Sequence, residues 1–197
     1  MQSCRLQPWG DQVMRGHTIC FALLLLVVAA APTARAANLN DCFQATMVQD
    51  KGLKSIELCG KLIKAGRLNN KDMAIALNNR GLGYVKQDKL DLAMVDLERA
   101  VRLDRTYAYA FDNMGDVWVK RGDYDKAIVQ YNHAIRVDPT FLSAYLDRAG
   151  AYEKLGKMES ARADYQTVID LKGQDRAIDR WAKDRAREHL QRLGKKS

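Results

Sequence analysis

The sequence predicts an all-α protein, a solenoid of stacked antiparallel helix pairs, on three observations. First, the chain matches itself at a shift of 34 residues, and three copies align without gaps. Second, apolar residues in each copy recur at steps of three and four, which is the spacing of amphipathic helices. Third, the 197 residues include only three prolines and are 47% hydrophobic, enough for one core. One short array of repeats therefore accounts for most of the chain.

The N-terminal segment has the pattern of a secretory signal peptide. Arg15 precedes an apolar run at residues 19–31, and residues 34–36 form a small-x-small cleavage signal. A membrane anchor is the alternative, but the run is shorter than the roughly 20 residues that span a bilayer. We therefore expect a periplasmic or secreted mature chain that begins at Ala37, with Met14 as a possible true start.

Residues 37–73 are predicted to form a degenerate helix pair whose link to the first full copy looks longer than a repeat allows. Asn40 is the expected cap of its first helix, and apolar residues at helical spacing mark the second. Cys42 and Cys59 are the cysteines that remain after cleavage. An even pair in an oxidising compartment suggests one disulfide, which would staple this pair, and two buried free thiols are the alternative. No nearby histidine completes a zinc site.

Each full copy is predicted to form two helices joined by a turn. Large, small and aromatic residues at positions 4, 8 and 11 share one face of the first helix. Small residues at positions 20 and 27 allow the second helix to approach closely, and position 24 supplies bulk beside them. The copies begin at Ala74, Ala108 and Leu142.

The turn residues of the copies fit the same plan. Gly122 and Gly156 end the first helix of their copies because glycine tolerates a positive φ, and Asp88 fills that place in the first copy. Pro139 ends the second copy. With these residues in register, the pattern resembles the tetratricopeptide repeat (TPR) family, and in particular its short exported bacterial envelope members. The resemblance implies a right-handed superhelix that holds a peptide or a partner helix along its inner curve.

The C-terminal residues are predicted to form a capping helix, because an array exposes its last apolar face unless another helix covers it. A basic helix on a membrane surface is the alternative. The apolar face of this helix consists of Ile178, Trp181, Ala182, Ala186, Leu190 and Leu193.

The charge balance is mildly basic. The net charge is +8 for the full chain, and 29 basic against 23 acidic residues after cleavage leave +6. Basic and acidic residues are interleaved, which favours a solvated surface over a nucleic-acid interface.

Nothing in the sequence indicates catalysis. His133 and His189 are the histidines of the mature chain, each is expected on a charged helix surface, and no nucleophile or carboxylate pattern converges on them. The glycines fall at repeat positions that packing explains, so no phosphate loop is indicated. We expect no enzyme, cofactor or metal.

The resemblance places partner binding on the first helix of each repeat. Asn79, Asn113 and Asp147 recur at one position, where amides either hold a partner's main chain or satisfy a neighbouring helix. Lys86, Lys120 and Lys154 recur at another, where they suit an acidic partner or serve helix C-terminal charge. The full set of predicted groove residues is Asn78, Asn79, Leu82, Lys86, Tyr109, Asp112, Asn113, Asp116, Lys120, Ser143, Leu146, Asp147 and Lys154.

The family's carboxylate clamp for acidic chaperone tails is not carried over. Its members place cations deep on this surface, where Asp112, Asp116 and Asp147 stand in this chain. Acidic side chains there disfavour an acidic tail.

These observations predict an adaptor or assembly factor of the cell envelope that binds a protein or peptide in a preformed groove. A homo-oligomeric structural subunit and a holdase chaperone are the alternatives, and no nucleic acid partner and no membrane span in the mature chain are expected. The predicted segments are a signal peptide (1–36), the degenerate pair (37–73), three repeats (74–107, 108–141 and 142–173) and the cap (174–197).

Overall fold

A computed structural model describes residues 31–172 and 177–194, with side chains from residue 39 onward. Over these ranges the chain forms nine α-helices and no strand, and none of the helices combines the length and apolar character that crossing a bilayer requires. Residues 1–30, which hold most of the predicted signal peptide, lie outside the described residues. The helices are α1 (Ala31–Met47), α2 (Leu53–Ala65), α3 (Asn70–Lys86), α4 (Leu90–Leu103), α5 (Ala108–Lys120), α6 (Tyr124–Val137), α7 (Leu142–Lys154), α8 (Met158–Asp170) and α9 (Ala177–Gly194).

The three predicted copies correspond to the pairs α3/α4, α5/α6 and α7/α8, and each pair packs on the next. The turn inside each pair contains a residue with left-handed backbone, at Asp88 (φ 58°), Gly122 (φ 78°) and Gly156 (φ 72°). The turn prediction is therefore confirmed, including the aspartate that stands where the other copies have glycine. The all-α solenoid is confirmed with it.

The link between the N-terminal pair and the first copy is shorter than the sequence suggested. Helix α3 begins at Asn70, one turn before the copy, because Asn69 provides a cap: its Oδ1 accepts a hydrogen bond from the backbone N–H of Asp72 at 2.9 Å. Only residues 66–69 separate α2 from α3. The extra helical turn accounts for the residues that appeared to be in excess.

The N-terminal pair is closed by a disulfide. The Sγ atoms of Cys42 in α1 and Cys59 in α2 are bonded, their Cα atoms are 4.9 Å apart, and both side chains are fully buried. Asn40 lies in the middle of α1, so the expectation that it caps the first helix is wrong. Helix α1 also contacts α3 directly, which extends the stack by one degenerate pair.

Two of the repeats contain a buried ion pair at the same positions. Arg80 bonds Asp96 through Nε and Nη2, both at 2.7 Å, and Arg148 bonds Asp164 at 2.8 and 2.7 Å. The aspartates are 4% and 6% exposed. These are positions 7 and 23 of the first and third copies, so each pair joins the two helices of its own repeat. The second copy has Met114 and Gln130 there.

The close approach of α5 and α6 depends on Gly115. A Cβ added to it would lie 2.3 Å from Cε1 of Tyr131, whose ring is 1% exposed. The ring is also held in place, because the Tyr131 hydroxyl donates to Oδ1 of Asp116 at 2.8 Å. The small residue predicted at this position is therefore required by the neighbouring tyrosine.

Replacing Gly115 with Ala should destabilise the fold by about 1–3 kcal/mol, because the added methyl group would overlap the Tyr131 ring, which its hydrogen bond to Asp116 holds in place. Gly150 is a matched control, since it lies inside helix α7 and nothing is within 4 Å of an added Cβ. There the same substitution should stabilise by about 0.5–1 kcal/mol through helix propensity. Urea unfolding of both variants checks this, and equal effects at the two glycines would contradict it.

Helix α9 covers the end of the array. Ala182, Ala186 and Leu193 are buried against the third repeat, with Leu190 packed beside them. Ile178 and Trp181 are not part of this contact, because they are 47% and 52% exposed. The buried face is therefore narrower than the sequence pattern predicted.

Candidate partner-binding groove

The predicted groove positions lie on the first helices of the repeats, α3, α5 and α7. Between the second and third repeats and α9 lies a pocket of about 280 Å³, which we call the groove pocket. Residues of α5, α6, α7, α8 and α9 line this pocket, because α9 packs against α7 and α8 of the third repeat. Its lining includes Asp116, Tyr131, Leu146, Asp147, Lys154, Trp181, Arg185 and His189.

Three carboxyl groups form what we call the acidic cluster, Asp112, Asp116 and Asp147. Asp112 and Asp116 are one turn apart on α5, and Asp147 is on α7. Asp112 is 7% exposed, and its Oδ1 is buried without a hydrogen-bond partner among the described residues. Oδ1 of Asp116 accepts a hydrogen bond from the Tyr131 hydroxyl group, at an O–O distance of 2.8 Å. None of the three forms an ion pair with any residue that the structure describes.

Burial and mutual repulsion make the acidic cluster difficult to ionise. Burial first, and then the charges of Asp147 and Asp116, raise the pKa of Asp112 well above its ordinary value. Burial also raises the pKa of Asp116, although the Tyr131 hydroxyl and Lys120 oppose this. For Asp147, burial and the charge of Asp116 raise the pKa to about 8. At neutral pH the cluster therefore retains protons that separate surface carboxylates would lose.

A second polar group connects the cap to the third repeat. Glu153 accepts hydrogen bonds from Tyr165, at 2.6 Å, and from Arg192, at 2.8 Å, and it lies 2.7 Å from Nδ1 of His189. Burial alone would raise the pKa of Glu153, but these hydrogen bonds and the charge of Arg192 hold it below its ordinary value. His189, expected on an open surface, is instead a partly buried member of this contact. Its role is structural, because it fixes α9 against α7 and α8.

The asparagines of the predicted groove are bonded to one another. Nδ2 of Asn113 donates to Oδ1 of Asn78 at 2.7 Å, and Asn78 donates to Asn79 at 3.4 Å. Asn79 in turn donates to the Sγ of Cys42 at 3.8 Å. All three amides are at most 8% exposed. Of the two roles that the sequence left open, the structure supports the satisfaction of neighbouring helices, because the amide groups are used within the stack.

The three lysines have different surroundings. Lys86 donates to the backbone carbonyls of Thr46 and Val48, so it stabilises the C-terminal end of α1. Lys120 and Lys154 are exposed in the last turns of α5 and α7. The regular lysine series that the sequence indicated is therefore interrupted at its first member.

The remaining predicted groove residues lie at or near the surface. Tyr109 is 45% exposed, and its ring packs on Phe141 with centroids 4.7 Å apart. Leu82 and Ser143 are half-buried, and Leu146 is 8% exposed at the groove pocket. These positions give the groove an apolar character beside the acidic cluster.

No group of three or more histidine, cysteine or acidic side chains is arranged to hold a metal ion in the part of the chain that the structure describes. His133 stacks on Phe111 with centroids 5.3 Å apart, and burial lowers its pKa. It lies apart from the acidic cluster and the groove pocket. No hydrogen bond joins a serine, threonine or cysteine side chain to a histidine among the described residues.

Stacked antiparallel helix pairs define an α-helical solenoid protein. Family models described as "Tetratricopeptide repeat" and "TPR repeat" match residues 74–107 and 142–175, and residues 115–156. Together these ranges fall within the three copies found from the 34-residue period, apart from the last two residues. The chain belongs to the TPR family. No curated protein matches it significantly.

Solved structures agree with this assignment. The second TPR of Spaghetti (RPAP3), bound to HSP90 peptide SRMEEVD, is 30% identical with a TM-score of 0.50, and the match covers 52% of this chain and 95% of that one. MamA protein is 27% identical with a TM-score of 0.55, over 70% and 73% of the two chains. The second TPR domain of human RPAP3, in complex with HSP70 peptide SGPTIEEVD, is 24% identical with a TM-score of 0.50, over 60% and 98%, and supports the fold alone.

Proposed function

We propose that this protein is a non-enzymatic adaptor or assembly factor of the cell envelope that holds a peptide or a helix of a protein partner in its groove. The observation that carries the proposal is the groove pocket, which combines an apolar lining with half-buried carboxyl groups on rigid helices. Such a preformed site loses little interaction energy to ordering of the receptor. The second TPR of Spaghetti (RPAP3), solved with a bound HSP90 peptide, supports this mode of binding.

The envelope location in this proposal rests on the predicted signal peptide and on the disulfide. Disulfides persist in oxidising compartments, and Cys42 and Cys59 are bonded here. Fractionation of cells that express the full chain tests this step. We expect the protein in the periplasmic or extracellular fraction in a form shortened to begin at Ala37, and unprocessed protein in the cytosol would contradict it.

The partner in this proposal differs from the peptide of the RPAP3 relative, SRMEEVD, in which three of the last four residues are acidic. In this chain Asp116 and Asp147 of the acidic cluster line the groove pocket, and none of the three carboxyl groups pairs with a cation among the described residues. Like charges that face each other across an interface cost several kcal/mol. An acidic tail is therefore not the proposed ligand.

A photo-crosslinking residue in place of Tyr109 tests the binding surface in living cells. Tyr109 is on the first helix of the second repeat, and Val129 is a control on the second helix, with exposed fractions of 45% and 49%. We expect one discrete adduct with another protein from position 109 and its absence from position 129. An adduct of twice the chain's own mass would favour the homo-oligomer, and many adducts would favour a holdase. Identical patterns from both positions would contradict groove binding.

A further inference from the structure

Among the described residues, the acidic cluster lacks the cationic partners that buried carboxyl groups normally have. Asp112 is more than nine-tenths buried with an unpartnered Oδ1, and Asp116 and Asp147 line the groove pocket. Buried carboxylates are costly unless cations or hydrogen-bond donors satisfy them. The Tyr131 hydroxyl on Asp116 is the one donor that reaches the cluster among the described residues. The cluster therefore has more acceptor capacity than the protein itself uses.

The basic groups around the groove pocket do not neutralise this cluster. Arg185 bonds Glu188 at 2.9 Å, and His189 bonds Glu153 at 2.7 Å. Lys120 and Lys154 extend from the exposed last turns of α5 and α7, and neither forms an ion pair with the cluster. Arg185 and His189 thus have carboxylate partners of their own, whereas the carboxyl groups of the cluster have no cationic partner among the described residues.

We propose that the acidic cluster receives a lysine or arginine side chain of the protein partner. Asp116 of α5 and Asp147 of α7, which line the groove pocket, would accept its N–H groups, and Asp112 lies one turn before Asp116 on α5. The rings of Tyr131 and Trp181 line the same pocket and suit the aliphatic stem of such a side chain. This inference rests on the proposed function and specifies the chemistry of the bound segment.

The charge state of the cluster makes this binding depend on pH. A cation stabilises the ionised carboxylates, so their pKa values fall on binding and protons are released. The pKa of Asp147 is about 8 in the free protein. Affinity should therefore increase as the pH rises toward about 8 and level off above it. The basic groups near the cluster are Lys120, Lys154, Arg185 and His189, and none of them forms an ion pair with it among the described residues.

Selection of random 12-residue peptides displayed on phage against the full chain tests the proposal. The test variant is D116N/D147N, in which each Asn keeps an oxygen, so that residue 116 still accepts from Tyr131. The control is D91N/D125N, which makes the same two substitutions at exposed positions on α4 and α6. Circular dichroism establishes that both variants fold.

We expect peptides from the wild-type protein to carry Lys or Arg at one fixed position. Their affinity should fall about tenfold or more with D116N/D147N or when that residue becomes Glu, and change little with D91N/D125N. The wild-type affinity should rise between pH 6 and 8, and the rise should be absent in D116N/D147N. Peptides without a fixed basic residue, or an equal loss in both variants, would overturn this inference while the proposed function stands. If no peptide is enriched and position 109 gives no crosslink, the proposed function itself fails.

Discussion

Replacing Arg80 with Met should destabilise the protein by about 3 kcal/mol. The substitution removes both 2.7 Å hydrogen bonds to Asp96, whose side chain is 5% exposed, and leaves that carboxylate buried without a partner. The figure is at the lower end for a broken buried pair because the Arg80 side chain is 23% exposed. Urea unfolding of the full chain measures the loss as a lower midpoint at an unchanged slope.

The second repeat supplies the matched control. Met114 and Gln130 stand there at the places of Arg80 and Asp96, so the variant R80M/D96Q gives the first repeat the pair that the second already has. Neutral replacement of both partners avoids the unpaired charge, and most of the lost stability should return. If the double variant is as unstable as R80M, the ion pair is not the source of the effect.

Removing the disulfide should cost about 3 kcal/mol, because the bond between Cys42 and Cys59 closes a short loop that is otherwise free in the unfolded chain. The stability of α1 and α2 should decrease most, because this pair lacks the contacts of a full repeat. In the variant C42S/C59S we therefore expect α1 and α2 to exchange amide hydrogens faster than the three repeats do.

Reduction of the wild-type protein is the control for this prediction. Wild type in dithiothreitol should match C42S/C59S in its unfolding midpoint, whereas the variant itself should not respond to the reductant. An unchanged midpoint in both cases would show that α1 and α2 are held by packing alone. In that case the contacts of α1 with α3 would contribute most of the stability of the N-terminal pair.

The features that repeat along the chain could be predicted from sequence because packing imposes them at every copy. The small residues at position 8 and the turn residues at Asp88, Gly122 and Gly156 follow from close helix approach and left-handed backbone. The Arg–Asp pairs could have been found in the same way. Opposite charges at positions 7 and 23 recur in the first and third copies, and the substitution of both members in the second copy is itself a signal.

The features that depend on contacts between unlike segments could not be predicted from sequence. Lys86 resembles Lys120 and Lys154, but a carbonyl of Thr46 lies beside it because α1 packs there. Asn79 likewise meets the Sγ of Cys42, 37 residues away. A periodic pattern describes what the copies share, whereas these contacts depend on the one degenerate pair at the N-terminal end.

The cap helix and the acidic cluster also have features that the sequence pattern did not predict. The apolar pattern of α9 includes Trp181, yet only part of that face meets the third repeat, so Trp181 lines the groove pocket instead. The sequence placed Asp112, Asp116 and Asp147 on the groove surface, where an ordinary carboxylate is solvated and ionised. Their burial depends on the packing of α5 against α7, and none of them pairs with a cation in the part of the chain that the structure describes.

Amide hydrogen exchange of the full chain, with and without a peptide from the phage selection, tests the groove most directly. A peptide bound along the first helices should slow amide exchange in α5 and α7. The exchange rates of the second helices α4 and α6 should change little. The protection should disappear in D116N/D147N and persist in D91N/D125N. Protection confined to α4 and α6, or protection that D116N/D147N leaves intact, would contradict binding of a basic segment in this groove.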